Sequence, residues 1–195
     1  MKTTLRRPIA VMVWAGLILS TKASPGVRRI DGGHSSIHVH VHKSGLFSAL
    51  GHDHDIEATI ESGEMTEAGA ASVEIRVDAR KLHVLDQDDS ADTRAEIQKT
   101  MLGPRVLDAE RYPEIHFRST AVKSAGTDHW LVTGDLDLHG QTHPVTVDVT
   151  LKNGLYNGTA ILKQTMFGIT PVTIAGGAVR VKDDLKIDFQ IALDK

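Results

Sequence analysis

From Val145 to Leu151 every second residue is aliphatic: Val145, Val147, Val149 and Leu151 alternate with Thr146, Asp148 and Thr150. A period of two puts one set on each face of an extended strand, so one face is dry and the other polar. The pattern recurs along the chain. Ile37, Val39 and Val41 alternate with His38, His40 and His42, and Val73, Ile75 and Val77 alternate with Glu74, Arg76 and Asp78. Ile115 to Thr120, Leu131 to Leu138 and Tyr156 to Phe167 continue the series. Leu185, Ile187, Phe189, Ile191 and Leu193 end it with five apolar residues on one face. Half-buried strands in such number must pack as a sandwich or close into a barrel, and closure removes exposed edges.

Turn and helix signals divide these runs. Lys43 to His54, with Gly45 and Gly51, reads as a bent connection before a second alternating run, Ile56-Ala58-Ile60. Asn153-Gly154 is the strongest hairpin signal, and Thr127-Asp128, His139-Gly140-Gln141 and Asp183-Asp184 also read as turns. Thr93 to Glu96 has capping-box spacing, Ile97 and Met101 lie one turn apart, and Gly103-Pro104 stops the helix. The expected fold is all-β: about eight antiparallel strands at intervals of roughly 10–15 residues, closed as a lipocalin-like barrel, with one short helix. The strictly alternating final strand is the natural partner of the first.

The first residues read as targeting rather than fold. Lys2, Arg6 and Arg7 precede an apolar run from Ile9 to Leu19, and Thr21-Lys22-Ala23 offers a small-residue cleavage site. The expected organisation is a signal peptide over 1–23 and one barrel domain over 24–195, periplasmic or secreted. The apolar run is too short for a spanning helix, so stable membrane insertion is not expected. Loss of residues 1–23 removes four basic residues and no acid, which takes the formal charge from −3 to −7 and argues against a nucleic-acid partner. The absence of Cys excludes a disulfide framework. Seven aromatics remain after cleavage, Phe47, Tyr112, Phe117, Trp130, Tyr156, Phe167 and Phe189, so the core must be largely Val, Ile and Leu.

Four stretches together carry a family resemblance: His34-Ser35-Ser36-Ile37-His38-Val39; Val106 to Phe117 around Tyr112-Pro113; Thr133 to Gly140 with Pro144-Val145; and Met166-Phe167-Gly168-Ile169. Through them nearly the whole mature chain resembles the YceI family of secreted, lipocalin-like proteins. The resemblance implies an extended antiparallel barrel whose apolar interior accepts a long isoprenoid or other lipid chain. Two departures stand out: Val39 occupies a common aromatic position, and Gly51-His52-Asp53-His54 replaces a basic or glycine-rich stretch. Candidate ligand contacts, taken as a set, are Ile37, Val39, Val41, Phe117, Phe167, Ile187, Phe189 and Ile191. The sequence leaves open whether the barrel is hollow and whether two chains form a homodimer.

Chemistry beyond binding has little support. There is no Gly-x-Ser-x-Gly elbow, His-Glu-x-x-His, phosphate-cradling loop or dinucleotide fingerprint, so neither catalysis nor a cofactor is expected. The alternative reading is a periplasmic metal-binding or stress-related protein that uses His52 and His54 with His38, His40 and His42. Histidines at i and i+2 share a strand face and can chelate, yet an outer face offers no closed supporting shell, and no metal site is assigned. Asp86, Asp88, Ser90 and Asp92 mimic the start of a calcium loop, but Ala91 stands where glycine is required. That segment reads as a solvated acidic loop. Asn157-Gly158-Thr159 is a formal glycosylation sequon that reads equally well as a turn.

Overall fold

The computed structural model describes residues 26–44, 53–67, 70–174 and 179–194. In chain order they form β1 (Val27–Ser44), β2 (His54–Glu57), β3 (Ile60–Thr66), β4 (Ser72–Asp78), β5 (His83–Val84), α1 (Ala91–Leu102), β6 (Glu114–Gly126), β7 (His129–Leu138), β8 (Gln141–Lys152), β9 (Leu155–Lys163), β10 (Thr173–Ile174) and β11 (Val179–Leu193). Hydrogen bonding runs β1-β3-β4-β6-β7-β8-β9-β11 and returns to β1, so eight antiparallel strands close a barrel. The expected partnership of first and last strands closes it, with Ile37 opposite Phe189, Val39 opposite Ile187 and Val41 opposite Leu185. β2 joins the C-terminal half of β1, while β5 and β10 extend β2 and β11.

Two-residue turns set the register of the long hairpins. Asn153 and Gly154 have φ of 54° and 79°, and His139 and Gly140 have 53° and 70°. Both pairs place successive residues in the left-handed region that suits strand twist. The expected Asp183-Asp184 turn is absent, because β11 runs unbroken through it. Those carboxylates work sideways: Asp183 accepts the Thr165 backbone N–H at 2.9 Å and its hydroxyl at 2.8 Å, while Asp184 meets Lys163 Nζ at 3.4 Å. The run Ile56-Ala58-Ile60 is split between β2 and β3, although all three residues are buried. The helix cap also lies upstream of the expected capping box, since Ser90 Oγ accepts the Thr93 N–H at 3.2 Å.

The core has two parts. One gathers Ile56, Val77, Leu82, Val84, Met101, Leu138, Phe167 and Ile169 near α1; the other gathers Ile30, Ile60, Val132, Val147, Val149, Tyr156 and Ile191 in the opposite half. Ile37 and Ile75 pack against both. No helix among the described residues is long and apolar enough to cross a membrane.

Candidate functional site

Inward side chains that filled the barrel would be buried throughout. Instead Ile37, Val39 and Val41 on β1, Phe117 on β6, and Leu185, Ile187 and Phe189 on β11 are only partly buried although they face inward. Their exposure reports interior space. The two core parts flank an apolar cavity of about 650 Å³ lined by these residues and by Ile191, Val145, Val147, Val149, Trp130, Val132 and Leu136. This volume falls within the usual range of small-molecule sites. The barrel is therefore hollow.

Strand parity accounts for the lining. His38 and His40 border an outer groove while Ile37, Val39 and Val41 line the cavity, as period two requires. A register shift between Ser119 and Ala121 on β6 changes the inward parity, so Phe117 and Val122 both reach the cavity. Seven of the eight candidate ligand contacts line the wall. Phe167 does not, and this corrects the expectation: Tyr156 to Phe167 is not one strand, because β9 ends at Lys163 and Phe167 rides a 3-10 turn, Gln164–Phe167. It is 1% exposed in the core near α1, where its ring meets His143 edge-on at 5.2 Å.

Two of the inward glycines each make room for an aromatic ring. A Cβ on Gly158 would stand 2.4 Å from Phe189 Cζ, and one on Gly134 would stand 2.5 Å from Phe117 Cζ. Each ring therefore lies in the gap its glycine leaves on a neighbouring strand. Both rings are kept against the wall.

The two ends of the cavity differ. At one end α1 contributes Thr93, Glu96, Ile97, Thr100 and Met101, joined by Lys43, His54 and Arg180. Sequence reasoning missed this helix as a wall element because its apolar edge gives no clue to its placement. At the other end the Tyr156 hydroxyl donates to Glu67, which also receives Arg28 Nη1 at 3.2 Å; Arg28 Nη2 donates to the Asp194 carbonyl at 2.6 Å. Burial, then the facing carboxylate, pushes the Tyr156 phenol up to about 12, and the Tyr156 hydrogen bond holds the Glu67 carboxyl below its usual range. Trp130 packs on Tyr156 at 5.8 Å between ring centroids. This end carries a polar latch inside an apolar wall.

The strand-one histidines do not converge with His54. His38 Nδ1 lies 3.3 Å from Asp55, His40 Nε2 3.0 Å from Asp188, and His42 Nδ1 3.0 Å from Asp53. His54 Nδ1 instead lies 2.6 Å from Asp86 Oδ2, and His52 is outside the described residues. Asp86 also departs from the solvated-loop expectation: its side chain is 6% exposed, because Oδ1 accepts the Asp55 N–H at 2.9 Å and draws the carboxylate under the loop.

Comparison with known proteins agrees with this architecture. A UPF0312 protein of Pseudomonas savastanoi pv. phaseolicola is 38% identical over 107 residues, which is 49% of this chain and 53% of that protein. The chain thus spans about half the length of that relative. A UPF0312 protein of Vibrio cholerae serotype O1 is 30% identical over 147 residues, 75% of this chain and 72% of the relative. Among solved structures, Burkholderia cenocepacia BcnA aligns with a TM-score of 0.61 at 22% identity, covering 85% of this chain and 99% of BcnA. A polyisoprenoid binding domain from Saccharophagus degradans aligns with a TM-score of 0.53 at 14% identity, covering 85% and 96%. These structural likenesses concern the fold. The sequence profile of the YceI-like domain matches residues 29–193, and the chain, a closed barrel around an apolar cavity, belongs to the YceI-like family.

Proposed function

We propose that this protein is an exported, non-catalytic carrier that holds one extended apolar chain, isoprenoid or fatty acyl, inside its barrel. The observation that carries the reading is the cavity of about 650 Å³, walled by aliphatic and aromatic side chains left partly uncovered. Removing ~10 methylene equivalents from water would provide about 8 kcal/mol at ~0.8 each, enough for micromolar binding after ordering costs. Most lining side chains are aliphatic or aromatic, so selectivity among chains of similar width is loose. The name of the Saccharophagus degradans neighbour, a polyisoprenoid binding domain, supports the isoprenoid choice, and the charged-then-apolar N-terminus supports export.

Substitutions that fill the interior test the reading. Val39→Trp and Ile37→Phe place larger side chains in the cavity and should reduce uptake of a fluorescent fatty-acyl or isoprenoid probe more than they reduce stability. His40→Ala, on the outer face, should change neither. Equal uptake by all three folded variants would refute an interior site.

A further inference from the structure

We infer that His54, Asp86 and Asp89 form a binding site for a first-row divalent transition ion, Zn²⁺ by donor type, at the rim of the cavity. Among the described residues these three supply the one group of at least three His, Cys, Asp or Glu ligand atoms that all lie within 4.8 Å of one another. They come from two separate places in the chain, the start of β2 and the connection between β5 and α1, brought together only by the fold. A tetrahedral zinc ion with ligand distances of about 2.0–2.2 Å holds its donors roughly 3.3–3.6 Å apart. His54 Nδ1 and Asp86 Oδ2, 2.6 Å apart, part to admit the ion, and the Asp89 carboxylate, within 4.8 Å of both, draws in to complete the set.

The backbone around the three is fixed before any ion arrives. Leu85 N–H donates to Asp55 O at 2.8 Å, Asp55 N–H to Asp86 Oδ1 at 2.9 Å, and Asp89 N–H to Asp86 O at 3.2 Å. Arg94 Nη1 donates to the carbonyls of Asp86 and Asp89 at 3.2 and 2.8 Å, and Ser90, next to Asp89, caps α1. Asp86 keeps Oδ1 on the backbone and turns Oδ2 to His54, so one carboxylate is already oriented by a partner of the kind that tunes metal ligands.

Charge favours a dication. Two carboxylates in close company, one of them 6% exposed, are costly without compensation. A bound dication would offset both charges, alongside the Arg94 guanidinium on the carbonyl side of the turn. One nitrogen and two oxygens suit zinc and its neighbours; calcium and magnesium prefer oxygen throughout. The ion takes the place of the proton between His54 Nδ1 and Asp86 Oδ2. A neutral ring then carries its proton on Nε2, and a protonated ring releases one to solvent. His54 also lines the cavity, yet the site does not depend on the cavity holding a lipid.

Titration of the full chain with ZnCl₂ near neutral pH, followed by calorimetry, tests the assignment. Saturable binding of one equivalent is expected, weakened at least roughly tenfold by Asp86→Asn and by Asp89→Asn, which preserve shape and remove charge. A triple replacement of His38, His40 and His42 by Ala should leave it unchanged. Co²⁺ loading should give a visible d–d band that His54→Gln removes, with melting in the absence of metal confirming that each variant folds. Absence of one-to-one binding by the folded protein would overturn the site. So would binding that survives both Asp variants and disappears in the triple variant.

Discussion

Gly158→Ala tests whether the glycine and aromatic positions hold the barrel open. The added methyl would sit 2.4 Å from Phe189 Cζ and 3.0 Å from Cε1, and 2.6 Å from the Asp148 carbonyl oxygen, where ordinary contact begins at 3.4 Å. The ring edge must retreat by about 1 Å to restore such contact, and the space available to it is the cavity. Overpacking of this kind costs about 1–3 kcal/mol; at ~2 kcal/mol a domain of this size loses about 4–8 °C in Tm. Phe189→Leu should relieve the ring contact but not the backbone one, so in the double variant the two substitutions should couple favourably by about 0.5–3 kcal/mol. Urea melts of the four proteins give the cycle, and uptake of a fluorescent fatty-acyl probe reports the cavity. The Gly158→Ala protein should bind the probe more weakly, and the double variant should recover part of that loss. Additive stabilities within about 0.5 kcal/mol, together with unchanged uptake, would refute the reasoning.

Two titrations probe the charged groups. Asp78 is held down at about 2, chiefly by the side chain of Arg80, whose Nε and Nη2 each donate at 2.8 Å; its contribution to stability is therefore full above the unfolded value near ~3.9 and disappears as pH falls through about 2. The stability gap between wild type and Arg80→Ala should narrow over that interval, and a gap constant with pH in urea melts would contradict it. Tyr156, raised to about 12, stabilises fully below the unfolded value of ~10 and loses its contribution as pH rises through its folded value. Tyr156→Phe should abolish the late phenolate absorbance step and bring Glu67 up toward its usual range; survival of that step would assign it elsewhere.

The periodic parts of the fold were legible in the residues. Val145, Val147 and Val149 proclaim an inward face, and Asn153-Gly154 proclaims its hairpin, because each signal is set by neighbours within a few positions. Errors arose where distant partners decide. Asp183 and Asp184 have turn chemistry, but β1 and β9 pair on both sides of β11 and hold it extended. Phe167 has a strand-like context until the 3-10 turn removes it from the wall. The hollow interior was not legible, since an alternating aliphatic face fits a filled core equally well. Lining residues on β7 and β8 were overlooked even though their alternation carried the same signal as β1. The approach of Asp86 to His54 spans 32 positions, and no local spacing announces it.

Native mass spectrometry of the protein isolated gently from its producing cells tests most directly whether the barrel holds an apolar chain. The predicted spectrum shows the chain beginning at Ser24 with one added mass per molecule, released by organic solvent and identified as an isoprenoid or fatty-acyl compound, and diminished in Val39→Trp. A well-folded protein that carries no such mass, and takes up none when offered isoprenoids or fatty acids, would contradict the carrier reading.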